Sequence, residues 1–317
     1  MSIVAINEKF EKQRGKSGGF PADMHYVVKE MTNGKIELYV EDIGESANIW
    51  KLADPWGFAA FDEARHTLRN LSGICFSMRL PSEKERPKFE ALKRRLSYMA
   101  AINNLSVALM ADDKEERLYT REELLDRPYE VVREDFGVRG DDDTPGRLEK
   151  DFQAYLFGKG LYDNDKDMVR TNERLAILGE DFVKISKKGL CVEREFPTGA
   201  FINDVKETNR VLPTEYVDIV TLNKFGNIAV IELKFDASQL EVIAQILNYA
   251  LFFHAYRKQL EPIFRKRLQL KRFNADINAY LVSNTFHKRF SAVWEYYSHG
   301  YITMKQVIMG YMPQNNY

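Results

Sequence analysis

The chain has 317 residues, with 46 lysines and arginines against 47 aspartates and glutamates, which gives a formal net charge of −1 at pH 7. This balance excludes a protein that is basic overall, so any surface that binds a polyanion must be local. The length predicts two domains, each large enough to bury its own core.

Cysteine usage and hydropathy predict a cytoplasmic protein. The two cysteines, Cys75 and Cys191, are far apart in sequence and fit neither a disulfide framework nor a zinc site. This usage is typical of a reducing compartment. No run approaches the ~20 apolar residues that span a bilayer, and we identify no signal peptide, so we expect no membrane partner.

The sequence of residues 1–140 predicts an α+β domain. Residues 1–22 are polar and Gly-rich and are expected to be mobile. Residues 24–43 contain two apolar runs around Asn33-Gly34, which is a strong hairpin signal. We expect this domain to have a recognition or regulatory role. Its ligand or partner is left open. Apolar spacing further along predicts helices over residues 62–71 and 89–102 and strands over residues 73–80 and 105–110.

The helix predicted over residues 89–102 is basic. We interpret its charges as a solvated face, which is what charge runs usually form. The alternative is a patch that contacts phosphates. A short helix follows over residues 120–125, where Thr120 and Glu123 form a capping box. The basic side chains are Lys88, Lys93, Arg94 and Arg95.

Residues 137–146 mark the predicted domain boundary, which we place between residues 140 and 141. The segment is acidic, contains Gly and Pro, and shows no apolar periodicity. Its three consecutive aspartates, residues 141–143, are interpreted as a solvated linker, with a cation site as the alternative. The second domain then begins with a helix over residues 147–157 that carries an apolar stripe.

A hairpin of two apolar strands over residues 216–234 carries three ionisable side chains, Asp218, Glu232 and Lys234. Such groups are rarely buried without a partner or a metal, because desolvation costs several kcal/mol. Glu232 and Lys234 share one face because strand side chains alternate. If Asp218 lies opposite on the neighbouring strand, the group suits a hard divalent cation beside a lysine. The alternative is a structural Glu–Lys ion pair.

The helix predicted over residues 238–256 places Gln245 and Tyr249 one turn apart, so their side chains project together. The most basic stretch of the chain follows, and we interpret it as a phosphate-binding surface. Its candidate residues are Arg257, Lys258, Arg265, Lys266, Arg267, Lys271 and Arg272. Further elements are predicted over residues 277–283, 286–297 and 302–312.

The ordered set of Asp218, a hairpin, Glu232-x-Lys234 and Gln245-x-x-x-Tyr249 resembles the PD-(D/E)XK nuclease superfamily, in particular its RecB-like and NucS-like branches. The local sequence is also similar to that of Shedu-type defence nucleases. The resemblance covers roughly residues 147–290. It implies an α/β domain over residues 141–317, with a restriction-endonuclease-like mixed central sheet flanked by helices.

The resemblance also implies a site. Mg²⁺ or Mn²⁺ would be held by Asp218, Glu232 and the Leu233 carbonyl, and Lys234 would orient the attacking water. A glutamate on the first helix of the domain, here Glu149, would reach the metal or its waters. Its alternative is a surface glutamate favoured near a helix N-terminus. Gln245 would bind a water or phosphate, and Tyr249 would pack near the DNA path. Glu193 and Glu195 are alternatives for the extra carboxylate.

The function implied is an endonuclease that cuts DNA and leaves a 5′-phosphate and a 3′-hydroxyl, in phage defence, restriction or repair. Homo-oligomerisation would suit cleavage of both strands of a duplex. Two alternatives are a non-catalytic nucleic-acid-binding protein on a nuclease fold, and a ribonuclease. The intact set of Asp218, Glu232 and Lys234 favours a catalyst over a binding module.

Overall fold

The computed structural model of the chain defines a mixed α/β protein with two compact units. The first unit comprises Met1–Leu125, Ser238–Asn248 and Phe286–Tyr301, and the second comprises the remaining segments. The predicted boundary segment lies outside the described residues, and the division between residues 140 and 141 stays a prediction. The described residues are 2–16, 19–22, 24–31, 34–42, 49–68, 70–133, 148–157, 175–179, 192–223, 225–236, 239–267 and 276–309.

Helices and strands are intermixed along the described chain. The first are α1 (Ile3–Gln13), β1 (Met24–Met31), β2 (Lys35–Asp42), α2 (Ile49–Arg65), β3 (Gly73–Met78), α3 (Arg86–Ile102), β4 (Ser106–Ala111), β5 (Lys114–Glu116), α4 (Arg121–Leu125) and β6 (Glu130–Val132). Then come α5 (Leu148–Phe157), β7 (Val192–Pro197), β8 (Ala200–Ile202), β9 (Arg210–Leu212), β10 (Tyr216–Leu222) and β11 (Ile228–Lys234). The last are α6 (Glu241–Ala255), α7 (Arg257–Arg267), β12 (Ile277–Ser283), α8 (Phe290–Ser298) and β13 (Thr303–Ile308). None of the described helices is long and apolar enough to cross a membrane.

The first unit is built on a five-stranded sheet in the order β1-β2-β3-β4-β5. Strands β2, β3 and β4 are parallel, and the outer pairs are antiparallel. Every residue of β3 is buried, as expected for the central strand of a parallel set. The predicted hairpin is confirmed as β1 and β2, and the capping box is confirmed by hydrogen bonds between Thr120 and Glu123 in both directions.

Two expectations for the first unit are wrong. Residues 1–22 were expected to be mobile, but α1 forms there and buries Ile6 and Phe10. Only these two side chains of the helix are buried, and one pair four residues apart is a weak periodic signal. The helix expected over residues 62–71 begins earlier and ends at Arg65. It contains Pro55, a residue that usually breaks a helix interior, and this obscured its true extent.

Neither interpretation of the basic helix holds for Arg94 and Arg95, because both side chains are buried. Arg94 pairs with Glu90 at 2.8 Å. The Arg95 guanidinium binds both carboxylate oxygens of Asp54, at 2.8 and 2.7 Å. The Asp54 carboxylate also accepts a hydrogen bond of 2.7 Å from the Tyr297 hydroxyl. The basic helix therefore places a closed ionic network inside the first unit.

We predict that Arg95→Met destabilises the protein by about 3–5 kcal/mol, because it leaves the Asp54 carboxylate buried and uncompensated. The matched control is Lys88→Met on the same helix, where Lys88 is exposed and the effect should stay within about 0.5 kcal/mol. Urea denaturation measures both. Equal stability of the two variants would contradict the importance of this ion pair.

The second unit contains a five-stranded sheet in the order β13-β12-β11-β10-β7 and a small sheet in the order β6-β8-β9. In the larger sheet, β7, β10 and β11 are antiparallel neighbours, whereas β11, β12 and β13 are parallel. Helix α5 packs against β10 and β11. Strands β11 and β12 are almost completely buried, so a charged side chain on β11 lies in the interior.

Candidate metal centre

The hairpin of β10 and β11 sets the register of the candidate site. Its pairs run from Leu222 opposite Ile228 to Ile219 opposite Ile231. One further step along this register places Asp218 opposite Glu232 on one face of the sheet. The turn is closed by the Asn223 side chain, which accepts hydrogen bonds from two backbone N–H groups of the turn.

Four predicted residues come together around β11. The Lys234 ammonium lies 2.7 Å from Oε1 of Glu232 and 3.3 Å from Oε1 of Glu149 on α5. Asp218 joins them through its Oδ2 atom, which accepts a hydrogen bond of 2.7 Å from the Leu233 N–H. The predicted contribution of the Leu233 carbonyl stays a prediction. The structure thus gathers three carboxylates around one ammonium.

Burial controls the protonation of this cluster. Burial raises the pKa of Glu232 to about 7, although the Lys234 ammonium lowers it. Burial and the neighbouring Glu232 carboxylate raise the pKa of Asp218 well above its usual value. Burial lowers the pKa of Lys234, but the carboxylates of Glu232, Asp218 and Glu149 outweigh it and raise that pKa overall. Lys234 is therefore an ammonium at neutral pH and donates hydrogen bonds without accepting any.

The donor set fits a divalent cation. Oε2 of Glu232 is buried and accepts no hydrogen bond from an N–H donor within the described part of the chain, and the Asp218 carboxyl lies within hydrogen-bond reach of the Glu232 carboxyl. Leaving a buried carboxylate oxygen without a partner is costly, and a bound cation would satisfy it. Among the described residues, no three His, Cys, Asp or Glu side chains form a ready ligand group. Mg²⁺ commonly takes only one or two carboxylates and completes its shell with water and phosphate, so Asp218 and Glu232 suffice.

One residue of the site, Gln153, was not predicted from the sequence. This side chain on α5 is buried and donates to the Asp218 carbonyl at 3.0 Å, to Oε1 of Glu195 at 3.1 Å and to Oδ1 of Asp218 at 3.3 Å. Its position four residues after Glu149 places both side chains on one helix face, which is the signal that could have identified it. Glu195, an alternative to Glu149 in the sequence analysis, therefore lies at the site as well. The side chain of Glu193 lies outside the described residues.

The predicted helix over residues 238–256 is confirmed as α6. Tyr249 on this helix is 1% exposed, and its hydroxyl donates to the Tyr216 carbonyl at 3.1 Å. Because Tyr216 precedes Asp218 by two residues, Tyr249 holds the strand that carries Asp218. Gln245 is half-buried one turn earlier, and its contact with a water or phosphate stays a prediction.

The predicted phosphate-binding residues are partly described. Arg257, Lys258, Arg265 and Lys266 lie on α7, where the last three are exposed. Lys258 is 3.7 Å from Asp126, and Arg265 is 2.7 Å from Glu261. Both pairs are at the surface, where ion pairs are weak and can be exchanged for phosphate. The side chain of Arg267 and both residues of the pair Lys271 and Arg272 lie outside the described part of the chain.

No protein-family model matches this chain, and no curated protein is significantly similar to it. The resemblance to PD-(D/E)XK nucleases therefore rests on the motif residues named above. The function must be argued from the chemistry of the site, since a fold alone does not determine it.

Proposed function

We propose that this protein is a metal-dependent endonuclease that hydrolyses phosphodiester bonds in DNA and belongs to the PD-(D/E)XK superfamily. One observation carries the proposal: Glu232 is buried with an oxygen that accepts no hydrogen bond from a described N–H donor, close to the half-buried Asp218 carboxyl and a charged lysine. A structural ion pair needs only one carboxylate for one lysine. The excess of carboxyl groups over the single lysine here is the arrangement expected of a cation site.

The fold supports the same proposal. The larger sheet of the second unit is mixed, and its central strands carry Asp218, Glu232 and Lys234. Helix α5 brings Glu149 to this sheet. These features agree with the restriction-endonuclease-like domain expected from the sequence, and the assignment to that fold is part of the proposal.

Asp218 and Glu232 would hold Mg²⁺ or Mn²⁺, with the Leu233 carbonyl as a third candidate ligand. When bound, such a cation neutralises charge on the phosphate and makes water a better nucleophile. When both carboxyl groups are ionised, they place two negative charges beside the one positive charge of Lys234, and a bound dication would favour that ionised state over the protonated one.

Lys234 has a distinct part in the chemistry. Its ammonium has three N–H donors, and two carboxylates, from Glu232 and Glu149, lie within reach of them. A third donor can orient the attacking water or bind a phosphate oxygen as negative charge develops in the transition state. Because its pKa is raised, Lys234 is not the base. Glu149 is partly exposed and can bind the waters that enter the site.

A cleavage assay tests the proposal. Supercoiled plasmid, single-stranded DNA and RNA of the same sequence are each incubated with the protein in Mg²⁺, Mn²⁺ or EDTA. We expect cation-dependent cutting of DNA that yields 5′-phosphate ends and stops in EDTA. Cutting of RNA alone would favour the ribonuclease alternative. Tight DNA binding without cutting of any substrate would favour a binding module. The role in phage defence, restriction or repair stays a prediction.

We also predict that the exposed cations of α7 contact DNA. The triple variant Lys258→Gln, Arg265→Gln and Lys266→Gln should bind DNA more weakly. The slope of log K against log salt should fall in magnitude by about 2–3, since each lost phosphate contact removes about 0.9 on B-DNA.

A matched control removes three exposed lysines of the first unit, Lys84, Lys88 and Lys114, and so changes the net charge equally. Fluorescence anisotropy measures the DNA affinity of both variants and of wild type. The KCl concentration runs from about 50 to about 300 mM, a range in which such slopes are measured. Equal slopes for the two triple variants would contradict a DNA-binding role of α7.

A further inference from the structure

The ladder between β7 and β10 is interrupted opposite Asp218. Phe196 pairs with Val217 and Arg194 pairs with Ile219, whereas Glu195 and Asp218, which lie between these pairs, do not complete the ladder. Glu195 has a φ of +52°, a left-handed backbone conformation that is uncommon for residues other than glycine. Such conformations are strained and persist where the surrounding structure enforces them, often at functional sites.

The Gln153 side chain occupies this interruption. It is 2% exposed, and its Nε2 donates to the Asp218 carbonyl, to Glu195 and to Oδ1 of Asp218. The interrupted ladder leaves the Asp218 carbonyl without a donor from β7. Gln153 on α5 donates the hydrogen bond instead. The same amide reaches the carboxylate that is proposed to bind the cation.

Arg194 fixes the orientation of this amide. Its Nε donates to Oε1 of Gln153 at 2.9 Å. A guanidinium can only donate, so the amide oxygen must face Arg194 and the amide NH₂ must face the two carboxylates. A flipped amide would direct its oxygen at Glu195 and Asp218 and lose all of these hydrogen bonds.

We infer that Gln153 is the positioning residue of the metal centre, and this inference rests on the function proposed above. It holds Oδ1 of Asp218 while the Leu233 N–H holds Oδ2, so the carboxylate is fixed in one orientation before a cation binds. Removal of a hydrogen-bond partner that orients a metal ligand commonly lowers the metal affinity about 10- to 100-fold. Gln153 acts through Asp218 and does not touch the DNA.

The test compares Gln153→Met, which keeps the size of the side chain and removes its polar atoms, with Leu156→Val. Leu156 is fully buried on the same helix, so its truncation loosens α5 without changing a polar contact of the site. The measurement is the Kd for Mn²⁺ by electron paramagnetic resonance, together with kcat and KM for DNA. We expect Gln153→Met to weaken Mn²⁺ binding at least ~10-fold and to lower kcat at unchanged KM. Raised Mn²⁺ should partly restore kcat.

A merely structural role for Gln153 predicts another result. Both variants would then lose thermal stability and both would keep the Mn²⁺ affinity of wild type, which would overturn the inference and leave the proposed function intact. Failure of wild type to bind Mn²⁺ at all would overturn both. If Gln153→Met does not fold, Arg194→Met replaces it. That variant frees the amide to rotate and should weaken Mn²⁺ binding in the same direction by a smaller factor, and unchanged binding would again overturn the inference.

Discussion

Replacement of Lys234 by methionine is expected to reduce the rate of DNA cleavage by about 10²–10³-fold, the usual effect of removing one donor that stabilises a transition state. Methionine approximates the aliphatic stem but lacks the ammonium that faces Glu232 and Glu149. DNA affinity should change little, because the phosphate-binding surface on α7 is untouched. Single-turnover cleavage at saturating protein separates the chemical step from binding.

Lys305→Met is the matched control for this change. Lys305 lies on β13 of the same sheet, where it pairs with Tyr280, and its ammonium is 5.5 Å from the centre of the Tyr280 ring. It should cleave DNA at the wild-type rate. A Lys234→Met protein that also cleaves at the wild-type rate would show that the lysine only compensates the charge of its neighbours.

The metal-free protein is expected to lose stability as the pH rises towards neutrality. The pKa of Glu232 is raised from 4.5 in the unfolded chain to about 7 in the folded protein. The folded protein therefore binds more protons between these values, so the stabilisation is complete below about pH 4.5 and is lost as the pH rises through about 7. The difference amounts to on the order of 3 kcal/mol at 1.36 kcal/mol per pKa unit.

Urea denaturation in EDTA at several pH values measures this loss. Glu232→Gln should make the profile shallower because the amide does not titrate, and the contribution of Asp218, whose pKa is also raised, should remain. Mg²⁺ should restore stability at pH 8 and have little effect at pH 5, since ligands must be deprotonated to bind a metal. A profile that is the same in wild type and Glu232→Gln would show that this carboxyl does not control the pH dependence.

Local patterns in the sequence predicted much of the second unit. The two apolar runs on either side of residues 223–227 predicted β10 and β11 correctly, because the register of a tight hairpin is fixed by its turn. Continued by one residue, that register brings Asp218 opposite Glu232. Glu149 reaches the same point, as the resemblance implied for the first helix of the domain.

Contacts between distant segments could not be predicted. Gln153 meets Asp218 across 65 residues, and its role depends on a broken ladder and a positive φ at Glu195 that no propensity indicates. Arg95 was grouped with solvated charges because its burial depends on Asp54, 41 residues earlier on α2. Helix α1 was missed because it is stabilised by packing of two apolar side chains more than by its own sequence.

The central claim, that Asp218 and Glu232 form a divalent cation site beside Lys234, is tested most directly by anomalous diffraction from crystals soaked in Mn²⁺. The structure predicts an anomalous peak within coordination distance of carboxylate oxygens of both residues, and predicts that the peak is lost in Asp218→Asn. Well-ordered Asp218 and Glu232 side chains without a peak between them, at Mn²⁺ concentrations that support cleavage, would contradict the claim.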